Sequence, residues 1–249
     1  MNGSDKVLPN VSHCVDEYEV HYNPIETRIV ATFNVTSTSE ATNIMGSSAA
    51  SQFNEIEIDG VVQPSIVTSY TFNATGEHTV KYTLVDPTSI GSFAFSGCSG
   101  LTSITITNSV TSIGNFAFQN CTHLTSITIP DSVTSIGGYA FQFCSGLISV
   151  TIGNGVTSIG NNTFEGCTGL TSVTIGNGIT SISNAFYNCT GLTSITSLAT
   201  TAPTISNYTF ENIKTGGILY VPSGSTGYDV WMGTGNYYLG KYNWTKVEQ

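Results

Sequence analysis

The sequence predicts a mainly β protein, in which a small β-sandwich precedes a solenoid with one parallel strand per 23-residue coil. The first observation behind this prediction is a repeat, whose copies start at Leu101, Leu124, Leu147, Leu170 and Leu192. The second is that short segments before Pro87 alternate apolar and polar residues and show no helical period. A fixed period of this length is typical of a solenoid, because each unit can bury its apolar face only against its neighbours.

Two segments precede the repeats. Residues 1–15 are predicted to be a disordered leader, and residues 16–86 to be a β domain. The segments that alternate in this β domain are YEVHY, TRIVATFNV, NEIEIDGVV, SIVTSYTFN and EHTVKYTLV, with Asn-Pro and Asp-Gly turn signals between them. About five short strands indicate a small sandwich of the immunoglobulin-like type, although the pair of cysteines typical of that fold is missing.

The β domain is expected to join the repeats without a linker. Val80, Tyr82 and Leu84 alternate with polar residues in the same way as Ile104 and Ile106 in the first repeat. The last strand of the β domain is therefore predicted to serve as the first rung of the solenoid. Such a shared strand would hold the two domains rigidly together.

One repeat, LTSITIPDSVTSIGGYAFQFCSG at 124–146, indicates what each position does. Its strand is expected to point Leu124, Ile127 and Ile129 inward, with Ser126 and Thr128 outward. One phenylalanine recurs in each coil, which predicts a stack of rings along the core. These residues are Phe95, Phe118, Phe141, Phe164, Phe186 and Phe210.

The solenoid is predicted to cover residues 87–222, with 219–221 as its last rung, and residues 223–249 are predicted to close it. A solenoid must cover its last apolar face, and terminal units are atypical for that reason. The aromatic residues after Val221 therefore favour a cap, and a platform on which sugars stack is the alternative. They are Trp231, Tyr237, Tyr238, Tyr242 and Trp244.

The repeat pattern LxxIxIPxxVxxIxxxAFxxC resembles the BspA-like leucine-rich repeat family of bacterial surface proteins. The resemblance covers about residues 87–222, and the ending ILYVPSGSTGYDVW is also similar to the family's terminal segment. It implies a secreted or surface-anchored protein that serves in adhesion or host interaction. It names no ligand, since repeat scaffolds carry many unrelated ones.

The charge balance makes two classes of partner unlikely. Only 9% of the residues are charged and the formal net charge is −10, which disfavours nucleic acid and anionic membranes. Residues 87–213 contain no lysine or arginine. The first residues lack the apolar core of a signal peptide, and no segment has the length of a membrane helix. We expect a monomer at the cell surface or outside the cell, its export signal absent from this sequence, with a cytosolic protein as the alternative.

A column of cysteines is the first candidate for chemistry. Stacked coils place equivalent Cβ atoms about 4.8 Å apart, whereas a disulfide needs about 3.8 Å. Zinc ligands converge on a tetrahedron and do not stand in a line. Ile213 occupies the same column in the sixth coil. We therefore expect core residues with free thiols, no metal site and no cofactor. The column consists of Cys98, Cys121, Cys144, Cys167 and Cys189.

No arrangement of residues in the sequence indicates catalysis. The histidines lack metal-ligand spacing, the glycine-rich corners lack a phosphate-binding motif, and no serine stands in a nucleophile elbow. The chain is therefore predicted not to be an enzyme. The remaining enzymatic alternative would rest on Asp16, Glu17, His21 and His78.

The candidate ligand-binding residues are two files of hydroxyls that point outward from the repeated strands. Five rungs at strand spacing give a flat surface about 20 Å long. It is either a solvated face that duplication has kept uniform or a site for an extracellular or host protein or glycan. Ordering of ice-like water is disfavoured, since paired threonine columns are absent. A spacer without a ligand is the alternative function. The residues are Ser103, Thr105, Ser126, Thr128, Ser149, Thr151, Ser172, Thr174, Ser194 and Thr196.

Overall fold

The computed structural model describes residues 28–235 and 237–249, and the regular secondary structure of this part of the chain is almost entirely β. Its helical residues belong to the 3₁₀-helices Ala50–Gln52 and Leu239–Tyr242. The predicted leader and the predicted strand YEVHY lie outside the described residues. The N-terminal strands are β1 (Arg28–Val35), β2 (Thr42–Asn43), β3 (Phe53–Ile58), β4 (Val61–Val62), β5 (Ser69–Tyr70) and β6 (Gly76–Leu84).

The N-terminal strands form one main antiparallel sheet. Its order is β4-β3-β6-β1, and β8 (Leu101–Thr105) of the first repeat follows β1. Strands β2 and β5 pair separately as a two-stranded ribbon. The prediction of short β-strands in this region is confirmed for residues 28–84. The immunoglobulin-like assignment remains a prediction, because it needs two facing sheets and the ribbon is the only second sheet among these described residues.

The predicted junction between the two regions is wrong in its connectivity. Strand β6 lies in the interior of the N-terminal sheet, between β3 and β1, and does not pair with the first repeat. Strand β1 pairs with β8 instead, antiparallel, with Ala31 opposite Ile104. The alternation of Val80, Tyr82 and Leu84 reflects burial in the N-terminal core, which any half-buried strand would show.

The repeats form two parallel sheets. The larger sheet consists of β10 (Ser126–Ile129), β12 (Ser149–Ile152), β14 (Ser172–Ile175), β16 (Ser194–Ser197), β18 (Ile218–Val221) and β19 (Thr245–Glu248), in that order. The smaller sheet consists of β7 (Ser89–Ile90), β9 (Ser112–Ile113), β11 (Ser135–Ile136), β13 (Ser158–Ile159), β15 (Ser181–Ile182) and β17 (Thr204–Ile205). Each coil thus contributes two strands where the sequence predicted one. A two-residue strand is too short to show alternation.

The predicted stack of phenylalanine rings runs through the core. Successive rings from Phe95 to Phe210 have centroids 5.0–6.0 Å apart and interplanar angles of 10° or less. All six side chains are fully buried. The inward Leu, Ile and Val residues of the strands surround them in one continuous cluster with the N-terminal core. Burial of this apolar area is the main stabilising contribution, at about 25 cal/mol per Å².

Aromatic residues from outside the repeats cover both ends of this stack. At the N-terminal end, Tyr82 and Phe53 contact Phe95, with ring centroids 5.1 and 5.8 Å from it. At the C-terminal end, Trp231 lies 5.3 Å from Phe210. The N-terminal sheet and the segment after Val221 therefore share the core of the solenoid.

The solenoid sheet continues beyond residues 219–221, which were predicted to be its last rung. Strand β18 pairs with β16 on one side, but β19 adds in parallel on its other side. Strand β19 contains Lys246 and Glu248 and has no repeat signature, so the sequence pattern did not reveal it.

Candidate binding surface

The outward residues of the repeated strands lie together on one face of the structure. These residues are the ten candidate serines and threonines given under the sequence analysis, two on each of β8, β10, β12, β14 and β16. We refer to them together as the hydroxyl face. On β10, the inward neighbours Ile127 and Ile129 are at most 2% exposed. Because strand residues alternate between the two faces of a sheet, Ser126 and Thr128 point away from the core.

Strand register aligns these residues in files. Ser149 pairs with Ser126 on one side and with Ser172 on the other. Thr151 pairs with Thr128 in the same way, and β16 continues both files. Strand β8 belongs to the antiparallel sheet. A hydrogen bond from the backbone amide of Thr125, the residue before β10, connects β8 to the solenoid. The sequence-predicted files are therefore brought together on one surface.

Exposure decreases along the hydroxyl face. Its residues on β8 and β10 are exposed, whereas those on β14 and β16 are half-buried. A ligand would therefore find the most accessible hydroxyls near the N-terminal end of the solenoid.

Hydrogen bonding distinguishes the hydroxyl face from the other threonine columns. Next to the face, the Thr171 hydroxyl donates to the Ile148 carbonyl at 3.1 Å. On the smaller sheet, the Thr134 hydroxyl donates to the Thr111 carbonyl at 3.2 Å. These threonines tie one coil to the previous one. Within the part of the chain that the structure describes, the hydroxyls of the hydroxyl face make no such hydrogen bond to a backbone carbonyl and remain available to solvent or a ligand.

Strand β1 extends the surface beyond the predicted residues. It places Thr32 opposite Ser103 and Val30 opposite Thr105 on the same face of the sheet. Val30 is 38% exposed. Sequence reasoning missed this strand as part of the surface, because an antiparallel partner from another region carries no repeat signature.

A cluster of four charged side chains borders the surface on the far side of β1. Arg28 contacts Glu55 at 2.6 Å and Glu57 at 3.2 Å, and Lys81 contacts Glu57 at 2.7 Å. The hydrogen bond from Lys81 lowers the pKa of Glu57, with further help from the charges of Lys81 and Arg28. The carboxylates and cations satisfy one another, so this border adds little net charge to the hydroxyl face.

The cysteine column lies inside the core. All five thiols are free and buried. Each thiol from Cys121 to Cys189 donates a hydrogen bond to the carbonyl of a phenylalanine in an earlier coil, as Cys144 does to Phe118 at 3.1 Å. Burial raises the pKa of Cys98 and Cys189. These cysteines act as small core residues that also satisfy backbone carbonyls.

The other candidates for chemistry are dispersed. His78 contacts Asp59 at 2.6 Å and the Ala74 carbonyl at 3.0 Å, while Asp16, Glu17 and His21 lie outside the described residues. In residues 28–235 and 237–249, no group of three or more histidine, cysteine, aspartate or glutamate side chains is arranged to hold a metal ion. Over the same residues, no helix is both long enough and apolar enough to cross a membrane.

The comparison with protein families identifies the repeats. Six copies of the BspA type leucine-rich repeat region match residues 88–216, which is more than half of the chain. The chain therefore belongs to the BspA-type leucine-rich repeat family. No curated protein matches it.

Several solved structures of leucine-rich repeat proteins are similar to the chain. A leucine-rich repeat protein from Bacteroides ovatus is 28% identical with a TM-score of 0.49, and the match covers 57% of this chain and 37% of that one. A leucine-rich repeat protein of T. pallidum is 27% identical with a TM-score of 0.45, and the match covers 53% of this chain and 65% of that one. A leucine-rich cell surface protein from Faecalibacterium prausnitzii is 22% identical with a TM-score of 0.27, and the match covers 55% of this chain and 59% of that one. The chain spans less than two thirds of each.

Proposed function

We propose that the chain is a non-enzymatic binding module that recognises a protein or glycan through the hydroxyl face. The observation that carries this proposal is the difference in hydrogen bonding between the threonine columns. Threonines beside the face use their hydroxyls to tie the coils together, as Thr171 does. The hydroxyls of the face make no such bond within residues 28–235 and 237–249. A stacking role therefore does not account for them, whereas contact with a ligand does.

The proposed location is the cell surface or the extracellular space of a bacterium. Membership of the BspA-type family supports it, since the family resemblance implies surface proteins. The surface chemistry agrees with it, because residues 87–213 rely on serine, threonine and asparagine rather than charge for solubility. The proposed partner is an extracellular or host protein or glycan that a monomer binds without a cofactor.

A second candidate function is a spacer without its own ligand. The uniformity of the hydroxyl face favours it, because the same Ser and Thr recur in five successive coils. A surface adapted to one ligand usually differs from rung to rung. The two candidates make opposite predictions for substitutions on the face.

An arginine at Thr151 is expected to weaken binding at least about tenfold, or about 1.4 kcal/mol. Thr151 is exposed and lies in the middle of the hydroxyl face, where a long charged side chain would keep a ligand from the flat surface. The measurement is surface plasmon resonance against a panel of extracellular-matrix proteins and glycans, with the wild-type chain and the Thr151→Arg variant.

Thr157→Arg is the matched control. Thr157 is exposed and lies in the same coil, but it precedes β13 on the other sheet. Its variant should bind as the wild type does. Equal binding by all three proteins would contradict a role of the hydroxyl face. Absence of binding to the whole panel at high micromolar concentration would favour the spacer.

A further inference from the structure

One column of loop positions holds a residue with a left-handed backbone in each of six coils. Such a backbone suits asparagine and glycine, and it is unfavourable for a bulky side chain. Four of the six residues are nevertheless aromatic. The column consists of Phe93 (φ 60°), Phe116 (57°), Tyr139 (60°), Asn162 (58°), Asn184 (51°) and Tyr208 (71°).

The neighbouring positive-φ column shows the ordinary choice of residues. Five of its six residues are glycine or asparagine, and Phe143 is the exception. The column consists of Gly97, Asn120, Phe143, Gly166, Asn188 and Asn212. Backbone conformation alone therefore does not select aromatic side chains at such corners, and strain of this kind is often retained where it serves a function.

Stacking accounts for three of the aromatic residues in the first column. Phe116 stacks on Phe93 and on Tyr139, with ring centroids 4.9 Å apart in both pairs and interplanar angles of 9° and 6°. Such pairs are attractive and offset part of the backbone cost. Tyr208 has no aromatic residue before it in the column, because Asn184 occupies the equivalent position of the previous coil. Its side chain is 46% exposed.

Between Tyr139 and Tyr208, the two asparagines leave a shallow cavity. It has a volume of about 180 Å³ and is lined by Asn162, Asn184, Tyr187 and Tyr208. We call it the aromatic slot. Typical ligand pockets have volumes of about 300–1,000 Å³. The aromatic slot therefore has room for one ring of a ligand.

Hydrogen bonds hold both asparagine amides in place and leave one polar atom of each unused. The Nδ2 atom of Asn162 donates to Glu165 at 2.6 Å. The Oδ1 atom of Asn184 accepts from the Ser206 hydroxyl at 2.7 Å. Within the described residues, the Asn162 Oδ1 and Asn184 Nδ2 atoms have no such partner. The aromatic slot thus offers one acceptor and one donor beside its aromatic rings.

The charge around the aromatic slot is not positive. Glu165, which holds Asn162, also accepts a hydrogen bond from Gln142 at 2.8 Å, and residues 87–213 contain no lysine or arginine. Tyr237 contacts Tyr208 edge-on, with ring centroids 4.5 Å apart. A hydrogen bond with Tyr208 raises the pKa of Tyr237, so this phenol is neutral at physiological pH. None of the four residues that line the aromatic slot is a cation, so the lining itself offers no counter-charge to an anionic ligand.

We propose that the aromatic slot binds one neutral sugar residue, such as the end of a glycan chain. A pyranose ring has an apolar face that can lie against Tyr187 or Tyr208, and hydroxyls that both donate and accept. The free amide atoms of Asn162 and Asn184 match those hydroxyls. This site is separate from the hydroxyl face, which lies on the larger sheet.

The test is saturation-transfer NMR and isothermal titration calorimetry with methyl glycosides of glucose, galactose, mannose and N-acetylglucosamine. The wild-type chain is expected to bind at least one of them at millimolar concentration and not to bind N-acetylneuraminic acid. The Tyr208→Asn variant is expected to lose at least about tenfold in affinity. Asparagine suits the left-handed backbone at this position, so the variant should keep its circular dichroism spectrum.

Phe93→Asn is the matched control. It makes the same kind of replacement in the same column, at the coil farthest from the aromatic slot, and it should bind sugar as the wild type does.

Tyr187→Ala is a second variant, which removes a lining ring without changing a positive-φ position, and it should also weaken binding. Failure of the wild type to bind any of the neutral glycosides, or unchanged affinity in both tyrosine variants, would overturn the proposal. Thr151→Arg should leave sugar binding unchanged, which separates this site from the hydroxyl face.

Discussion

Replacement of Phe141 by alanine is expected to lower the free energy of unfolding by about 3–5 kcal/mol. The Phe141 ring is fully buried in the middle of the stack, 5.0 Å from Phe118 and 5.3 Å from Phe164. Alanine would leave a cavity that the flanking coils cannot fill, because strand pairing fixes their separation. The measurement is equilibrium unfolding in urea, followed by circular dichroism.

Phe143→Ala is the control for this prediction, because the same residue type stands in the same coil two positions later. Phe143 is 44% exposed and has a positive φ of 59°. Its replacement should change the free energy of unfolding by less than about 1 kcal/mol, as is usual for exposed side chains. Equal destabilisation by the two alanine variants would mean that the phenylalanine stack is not the centre of the core.

Replacement of Trp231 by alanine is the second large effect that we expect, at about 3–5 kcal/mol. The Trp231 side chain is 1% exposed, lies 5.3 Å from the Phe210 ring and donates from Nε1 to the Pro203 carbonyl at 2.9 Å. Its loss would expose the last ring of the stack to water. Because each coil contacts only its neighbours, the damage should be greatest at this end.

Hydrogen–deuterium exchange measures that local effect. In Trp231→Ala, amides of β17 and β18 should exchange faster, while those of β9 and β11 should be little changed. Val230→Ala is the control, since Val230 is adjacent and 61% exposed. Faster exchange spread equally over all coils would contradict a cap that acts locally.

The solenoid was predictable because its apolar positions recur in every coil. Each inward position, such as Ile127 or Phe141, is supported by equivalents in several repeats, so one pattern determines the core of all of them. The same alternation placed Thr128 and Thr151 on the outside, and strand register aligns them. Repetition made these local preferences unambiguous.

The parts that were not predicted depend on pairing between distant segments. Nothing in β1 indicates that Ala31 lies opposite Ile104, because antiparallel partners share no sequence signature. Strand β19 is similarly hidden, since Lys246 and Glu248 interrupt its apolar pattern. The short second strand of each coil has two residues and shows no period.

The aromatic slot shows a further limit of sequence reasoning. The sequence repeats reveal that Tyr139, Asn162 and Tyr208 occupy equivalent positions in their coils. They do not reveal that the backbone there is left-handed, and this conformation is what makes the aromatic residues unusual. The cavity lies at Asn162 and Asn184, whose side chains are shorter than the aromatic residues at the other positions of the column.

Native-state thiol labelling with mass spectrometry tests most directly whether the repeats form one stack with the cysteine column inside. Burial keeps the thiols of Cys98 and Cys189 protonated by raising their pKa, so they should be unreactive at pH 8. We predict that the five thiols from Cys98 to Cys189 stay unlabelled in the native protein and react fully in urea. Rapid labelling of a central thiol such as Cys144 without denaturant would contradict the account.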